Sequence, residues 1–346
     1  MNPKGTKGRL RVEVGPPPPF DAELVPTLNG LAELVPPAIT PDMIPAMREV
    51  IKGLRLTDDE LRRGGAVEFE ERLVPGPRGA PDISLLICRP TQANASLPGV
   101  YFSHGGGMML GDNRNLLNEM LDWVQELQIV LVSVEYRLAP EHPHPAPVQD
   151  VYAGLVWTAR HARDLGIDPD RIVVAGASAG AGLTAAVALL ARDRGEPKLA
   201  GQLLACPMLD DRSDTASAFQ MAGLGVWDRT SNETGWTALL GPDRGGANVS
   251  NYAAPARADD LRGLPPMFVD VGSTETFRDE AVTYATRFWQ AGGQAELHVW
   301  PGGFHGFDAL VPDAVLSRAA RAARARWLRR LLNDTDDGRG DLALDS

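Results

Sequence analysis

The chain has 346 residues, 44% hydrophobic and 23% charged, with 34 basic against 45 acidic side chains and a net charge of −11. This is the composition of a soluble globular protein long enough to bury a large core, and its negative balance argues against nonspecific binding to nucleic acid or anionic membrane. The two cysteines, Cys88 and Cys206, each sit in an apolar run. Both are therefore read as buried free thiols outside the chemistry, and no zinc-type spacing or other metal or cofactor motif occurs.

In chain order, the first twenty residues carry basic side chains without the apolar core of a secretory signal. No window approaches the roughly 18 consecutive apolar residues of a membrane span, so a cytoplasmic protein without stable membrane association is expected. Residues 1–65 begin proline-rich and then space Leu31, Leu34, Met43, Met47 and Ile51 as one or two short helices would. From about residue 66 the pattern changes to short β-rich runs alternating with helical ones. Strands are expected at Ile83–Cys88, Gly99–Ser103, Ile129–Val134, Ile172–Ala175, Leu203–Cys206, Met267–Val271 and Glu296–Trp300. Helices are expected near 115–127, 149–165, 179–193, 278–291 and 313–332. That alternation predicts an α/β fold with a mostly parallel sheet.

Residues 210–257 interrupt it with a glycine-rich stretch holding Trp227 and Trp236, long enough to act as a lid or cap. The last helix is studded with arginines at 318, 321, 324, 326, 329 and 330, read as a solvated face opposite a stripe of Leu316, Ala320, Ala323, Trp327 and Leu331. The acidic residues 335–346 are expected to form a disordered tail.

Two glycine-rich segments carry the chemistry. Gly176-Ala-Ser178-Ala-Gly180 lies between a β-run and a helix-forming run, the strand, sharp turn and helix that a nucleophile elbow requires. His104-Gly105-Gly106-Gly107 follows an apolar strand, and its glycines free backbone N–H groups to face a substrate oxygen, joined by the N–H of Ala179. A phosphate-binding loop would end in Gly-Lys-Ser/Thr, whereas Met108 and Met109 follow here.

A serine nucleophile needs a base and an orienting acid, in the order Ser, acid, His. Of the two histidines after Ser178, His298 sits inside a strand pattern and is read as structural. His305 lies in the loop after that strand and is the base candidate. For the acid, Glu275 stands closest to the end of the preceding strand. Asp279 is the alternative, although it and Glu280 fall in a helix's first turn, where the helix dipole accounts for them.

With these pieces in view the chain resembles the bacterial hormone-sensitive-lipase-like carboxylesterases, of α/β-hydrolase fold. The matching segments are HGGG at 104–107, Tyr136-Arg-Leu-Ala-Pro-Glu-His-Pro143, GASAG at 176–180, the Glu275 to Glu280 segment and Phe304-His-Gly-Phe307. Two departures stand out: the aligned acid is Glu275 where the family commonly carries Asp, and Ala177 replaces its usual Asp or Thr. The resemblance implies a catalytic domain of 66–209 and 258–334, with 1–65 and 210–257 forming a cap over the acyl pocket. It implies hydrolysis of short- to medium-chain acyl or aryl esters without a cofactor, support of the oxyanion glycines by the 136–150 loop, and a homodimer paired through the last strand. Candidate pocket residues are His104, Met108, Met109, Leu224, Val226 and Trp227. The same triad would serve a lactone hydrolase, an acyltransferase or an amide hydrolase, and a non-catalytic ligand-binding relative is the reading from another class.

Overall fold

The computed structural model describes residues 14–34, 36, 38–92 and 95–333. The tail expected over 335–346 lies outside the described residues. Eight strands form one sheet: β1 (Val67–Val74), β2 (Ile83–Pro90), β3 (Leu97–Ser103), β4 (Val130–Val134), β5 (Ile167–Ala177), β6 (Gly201–Ala205), β7 (Met267–Gly272) and β8 (Ala295–Trp300). Their order is β1-β2-β4-β3-β5-β6-β7-β8. From β4 to β8 neighbouring strands run parallel, while β1 with β2 and β2 with β4 are antiparallel.

The central strands read as continuous apolar runs because both faces are covered. Val130, Val132 and Val134 of β4 join one apolar cluster and Leu131 the other. The first cluster takes in α5 (Ala146–Arg160), α6 (Ala179–Arg194) and α9 (Arg278–Gln290). The second takes in α4 (Asn118–Glu126) and α11 (Val315–Asn333). Cys88 lies in the second cluster and is a free thiol, as expected. The seven expected strands and the helices expected after residue 66 fall in place, whereas the N-terminal region, expected to hold one or two short helices, has three among the described residues.

One strand was not anticipated. β1 (Val-Glu-Phe-Glu-Glu-Arg-Leu-Val) is charge-rich because it is an edge strand whose outer positions stay in water. α11 also corrects the expectation of a solvated arginine face. Ala320, Ala323, Trp327, Leu328 and Leu332 are buried as a packed stripe requires, but so is Arg324. It can be buried because Asp270, Asp308 and Glu119 surround its guanidinium.

The remaining helices come from the N-terminal region, from the insertion and from the loop after β8. They are α1 (Val25–Leu34), α2 (Ile44–Lys52) and α3 (Asp58–Arg62) from the N-terminal region, α7 (Ala216–Gln220) and α8 (Arg229–Leu240) from the insertion, and the short α10 (Phe307–Leu310). The two regions meet. The Ile39 N–H donates to Ser231 Oγ on α8, and Gln220 on α7 donates to the carbonyls of Gly15 and Pro16. Leu24, just before α1, is buried with Phe304 and Phe307. Among the described residues no helix is long and apolar enough to cross a membrane.

Candidate active site

Ser178 sits between β5 and α6 with φ 57° and ψ −121°, a conformation that a non-glycine residue holds only under tight constraint. Its N–H donates to the Ala205 carbonyl and its own carbonyl accepts from Met208 N, so the turn is pinned from the next strand. The turn also needs a bare backbone: a Cβ on Gly180 would lie 2.0 Å from the Ser103 carbonyl oxygen. Ser178 is thereby lifted to the top of the sheet at the N-terminus of α6, whose first N–H groups have no partner within the helix.

His305 lies in the loop after β8. Its Nε2 is 2.9 Å from Ser178 Oγ and its Nδ1 is 3.2 Å from Glu275 Oε1. Glu275, in the loop after β7, is buried and accepts the Gly272 N–H on Oε2. In the neutral tautomer that suits both contacts, Nδ1 carries the proton and donates to Glu275 Oε1, leaving Nε2 to accept from Ser178 Oγ. Burial pulls the imidazole's pKa down and the neighbouring Glu275 carboxylate pulls it up. Phe277 stands edge-on to the imidazole at 5.2 Å between ring centres and Trp227 is tilted at 6.3 Å, so the ring has apolar walls.

Asp279, the alternative acid, is committed elsewhere. It accepts from the Ser217 N–H at 2.7 Å and from Arg278 at 2.8 Å, which ties α9 to α7. Glu280 is buried and accepts the Leu209 N–H, with burial raising its pKa well above the usual carboxylate range. His298 stacks on Trp300 and bonds Glu296 on β8, away from Ser178, as expected of a structural residue.

The loop after β3 passes beside Ser178. A Cβ on Gly105 would lie 3.3 Å from Ser178 Cβ, which places this backbone against the nucleophile. Gly107 has φ +63°, and a Cβ there would meet Trp227 Cη2 at 2.3 Å, so the indole from the insertion lies against the loop. His104, a pocket candidate from the sequence, is fully buried: it stacks on Tyr136 with ring centres 4.2 Å apart, and its Nδ1 donates to the Gly105 carbonyl. Tyr136 Oη in turn donates to the His104 carbonyl. His104 is thus tied to the loop backbone and to Tyr136, and burial lowers its pKa to about 4.

Of the other pocket candidates, Met108, Met109 and Trp227 are buried in one cluster at this loop. Leu224 is 40% exposed, and Val226 packs toward the Leu24, Phe304 and Phe307 cluster.

Three residues near Ser178 and its partners carry no local signal that would assign them there. Arg48 on α2 donates to the Met109 and Ala139 carbonyls and pairs with Glu141, tying the N-terminal region to the glycine loop. Arg324 bridges Asp270 and Asp308, which flank the acid and base loops. Cys206, expected to lie outside the chemistry, is beside the site: its sulfur, a His305 nitrogen and a Glu275 oxygen all lie within 4.8 Å of one another. The alternation of strands put Cys206 at a strand end, but only the sheet order β6-β7-β8 brings that end beside the loops that carry Glu275 and His305.

The family model for the α/β-hydrolase fold matches residues 100–309. Carboxylesterase NlhH of Mycobacterium tuberculosis is 34% identical over 316 residues, 89% of this chain and 95% of that protein. The solved structure of a bacterial heroin esterase superposes with a TM-score of 0.82 at 36% identity, covering 90% of this chain and 98% of that one. A hyperthermophilic esterase from the archaeon Pyrobaculum calidifontis gives 0.76 at 29% identity, covering 90% and 99%.

Proposed function

This chain belongs to the hormone-sensitive-lipase-like carboxylesterases of the α/β-hydrolase fold and is a serine ester hydrolase; from that premise we propose that Ser178 is its nucleophile, His305 its base and Glu275 its orienting acid. The observation that carries this assignment is the continuous chain from Ser178 Oγ to His305 Nε2 and from Nδ1 to Glu275 Oε1. Ser178 Oγ attacks the ester carbonyl as His305 takes its proton, and Glu275 holds the imidazole in the tautomer that can accept it. The developing oxyanion is met by N–H groups of Gly105, Gly106 and Gly107 and by Ala179 at the start of α6, donors worth about 3–4 kcal/mol each in comparable sites. The imidazolium then protonates the leaving alcohol, and water activated by His305 releases the acid from Ser178.

The substrates we assign are short- to medium-chain acyl or aryl esters. Trp227 lies against the glycine loop and Met108 and Met109 are buried beside it, which favours a compact apolar acyl group. In this reading 1–65 and 210–257 are the cap over that pocket, supported by the contacts between them. We further assign the protein to the cytoplasm and to a homodimer joined at β8, the strand at one end of the sheet; light scattering showing a monomer at micromolar concentration contradicts the dimer.

The test of the mechanism is hydrolysis of p-nitrophenyl butyrate together with labelling by a fluorophosphonate. Ser178→Ala should lose both. Undiminished hydrolysis in that variant overturns the assignment, and wild-type protein that is neither labelled nor active points to a ligand-binding role.

A further inference from the structure

The two buried thiols differ in their surroundings. Cys88 lies within β2 in an apolar cluster. Cys206 follows β6 with φ 40°, its N–H held by the Asp270 carbonyl, and shares its space with the imidazole of His305 and the carboxylate of Glu275. Sulfur, imidazole nitrogen and carboxylate oxygen are together the donor set that suits zinc.

We propose that Cys206, His305 and Glu275 form an inhibitory zinc site that shares its residues with the catalytic centre. The proposal rests on the reading of His305 as the base. Zinc bonds of about 2.0–2.3 Å set tetrahedral donors roughly 3.3–3.8 Å apart. Here Nδ1 and Oε1 are already 3.2 Å apart and no donor pair exceeds 4.8 Å, so the widest gap must close by about 1 Å, within reach of side-chain rotation. The surroundings favour a fixed site. Gly272 N–H holds the second oxygen of Glu275, and Phe277 and Trp227 limit the swing of the imidazole.

On binding, zinc takes the sulfur as thiolate, the lone pair of an imidazole nitrogen and a carboxylate oxygen, while the thiol proton leaves to solvent and no group changes oxidation state. A fourth position stays open to water. Whichever imidazole nitrogen is used, catalysis stops. A metal on Nε2 removes the acceptor for the Ser178 proton, and a metal on Nδ1 removes the bond to Glu275.

The experiment uses the full reduced chain and zinc chloride. Binding is read by equilibrium dialysis and by the thiolate-to-metal absorption of the cobalt-substituted protein, and inhibition is read on p-nitrophenyl butyrate. Wild-type protein should bind one zinc, lose activity in proportion and recover it with EDTA. Cys206→Ala and the near-isosteric Cys206→Ser, each compared with its own metal-free rate, should bind at least about tenfold more weakly and lack the cobalt–thiolate band. Ser178→Ala should bind zinc as wild type does, because the serine is not a donor.

Equal zinc affinity or equal inhibition in both Cys206 variants overturns the proposal, as does wild-type protein that binds no zinc. Ser178→Ala protein that still hydrolyses ester overturns the catalytic reading instead, and leaves the dialysis and cobalt results to decide the metal site separately.

Discussion

Arg324 on α11 donates from Nε to Asp270 Oδ2 at 3.0 Å and from Nη2 to Asp270 Oδ1 at 3.2 Å, with both side chains buried. Asp270 lies two residues before Gly272, whose N–H holds Glu275, and Arg324 also pairs with Asp308, three residues after His305. One guanidinium thus ties together the strand end next to Glu275 and the segment that follows His305. Removing it leaves buried carboxylates uncompensated, so Arg324→Met is expected to lose about 3–5 kcal/mol of stability. Urea unfolding measures this, and a loss below about 1 kcal/mol would show that the cluster is well hydrated in solution.

The two acid candidates separate cleanly by kinetics. Glu275→Gln keeps the shape but lets His305 turn to the wrong tautomer, so kcat on p-nitrophenyl butyrate should fall by roughly 10³–10⁴. Asp279→Asn disturbs only the tie between α9 and α7 and should cost less than about threefold in kcat/KM. The reverse ranking would transfer the acid role to Asp279.

Trp227 and Gly107 constrain each other. Gly107→Ala sets a methyl where Trp227 Cη2 now lies and strains a backbone at φ +63°. It should lower kcat by about 100-fold through displaced oxyanion donors. Trp227→Ala should instead shift the acyl-chain profile toward longer esters. An unchanged profile would remove Trp227 from the acyl pocket.

His104 gives stability a pH dependence of known sign. Burial lowers its pKa from 6.5 to about 4. Between those values the unfolded chain binds a proton that the folded chain does not, so stability rises with pH across that window. The contribution, about 3 kcal/mol, is complete above the unfolded value and is lost as pH falls toward 4. Glu119 and Glu135, raised by burial from 4.5 to about 7, slope the opposite way across an overlapping range. The diagnostic is therefore the difference between wild type and His104→Gln in urea unfolding at successive pH values. Identical slopes would mean that His104 has the same pKa in the folded and the unfolded chain.

Much of the fold and of the candidate site was legible because it is written locally. Seven strands announce themselves as apolar runs, and the elbow and the glycine loop each constrain a few consecutive residues that must adopt unusual backbone conformations. Ser178, Glu275 and His305 could be nominated because each stands at the end of a strand, where loops gather above a parallel sheet. β1 was illegible because an edge strand in water need not look apolar. That His104 stacks on Tyr136 was illegible too, because a motif tells which residues are adjacent in the chain and not which way a ring turns.

The amino-acid sequence by itself determined the class of fold, the strand, turn and helix around Ser178 and the kind of chemistry, since these follow from periodicity and from what glycine permits over a handful of positions. The tertiary structure alone decided that Arg324 is enclosed by carboxylates, that Arg48 anchors the glycine loop, that Asp279 is spent on Ser217, and that Cys206 stands beside His305. The partners in each of these contacts are separated by 16 residues or more. Their meeting is set by sheet order and packing, and no local pattern of residues encodes it.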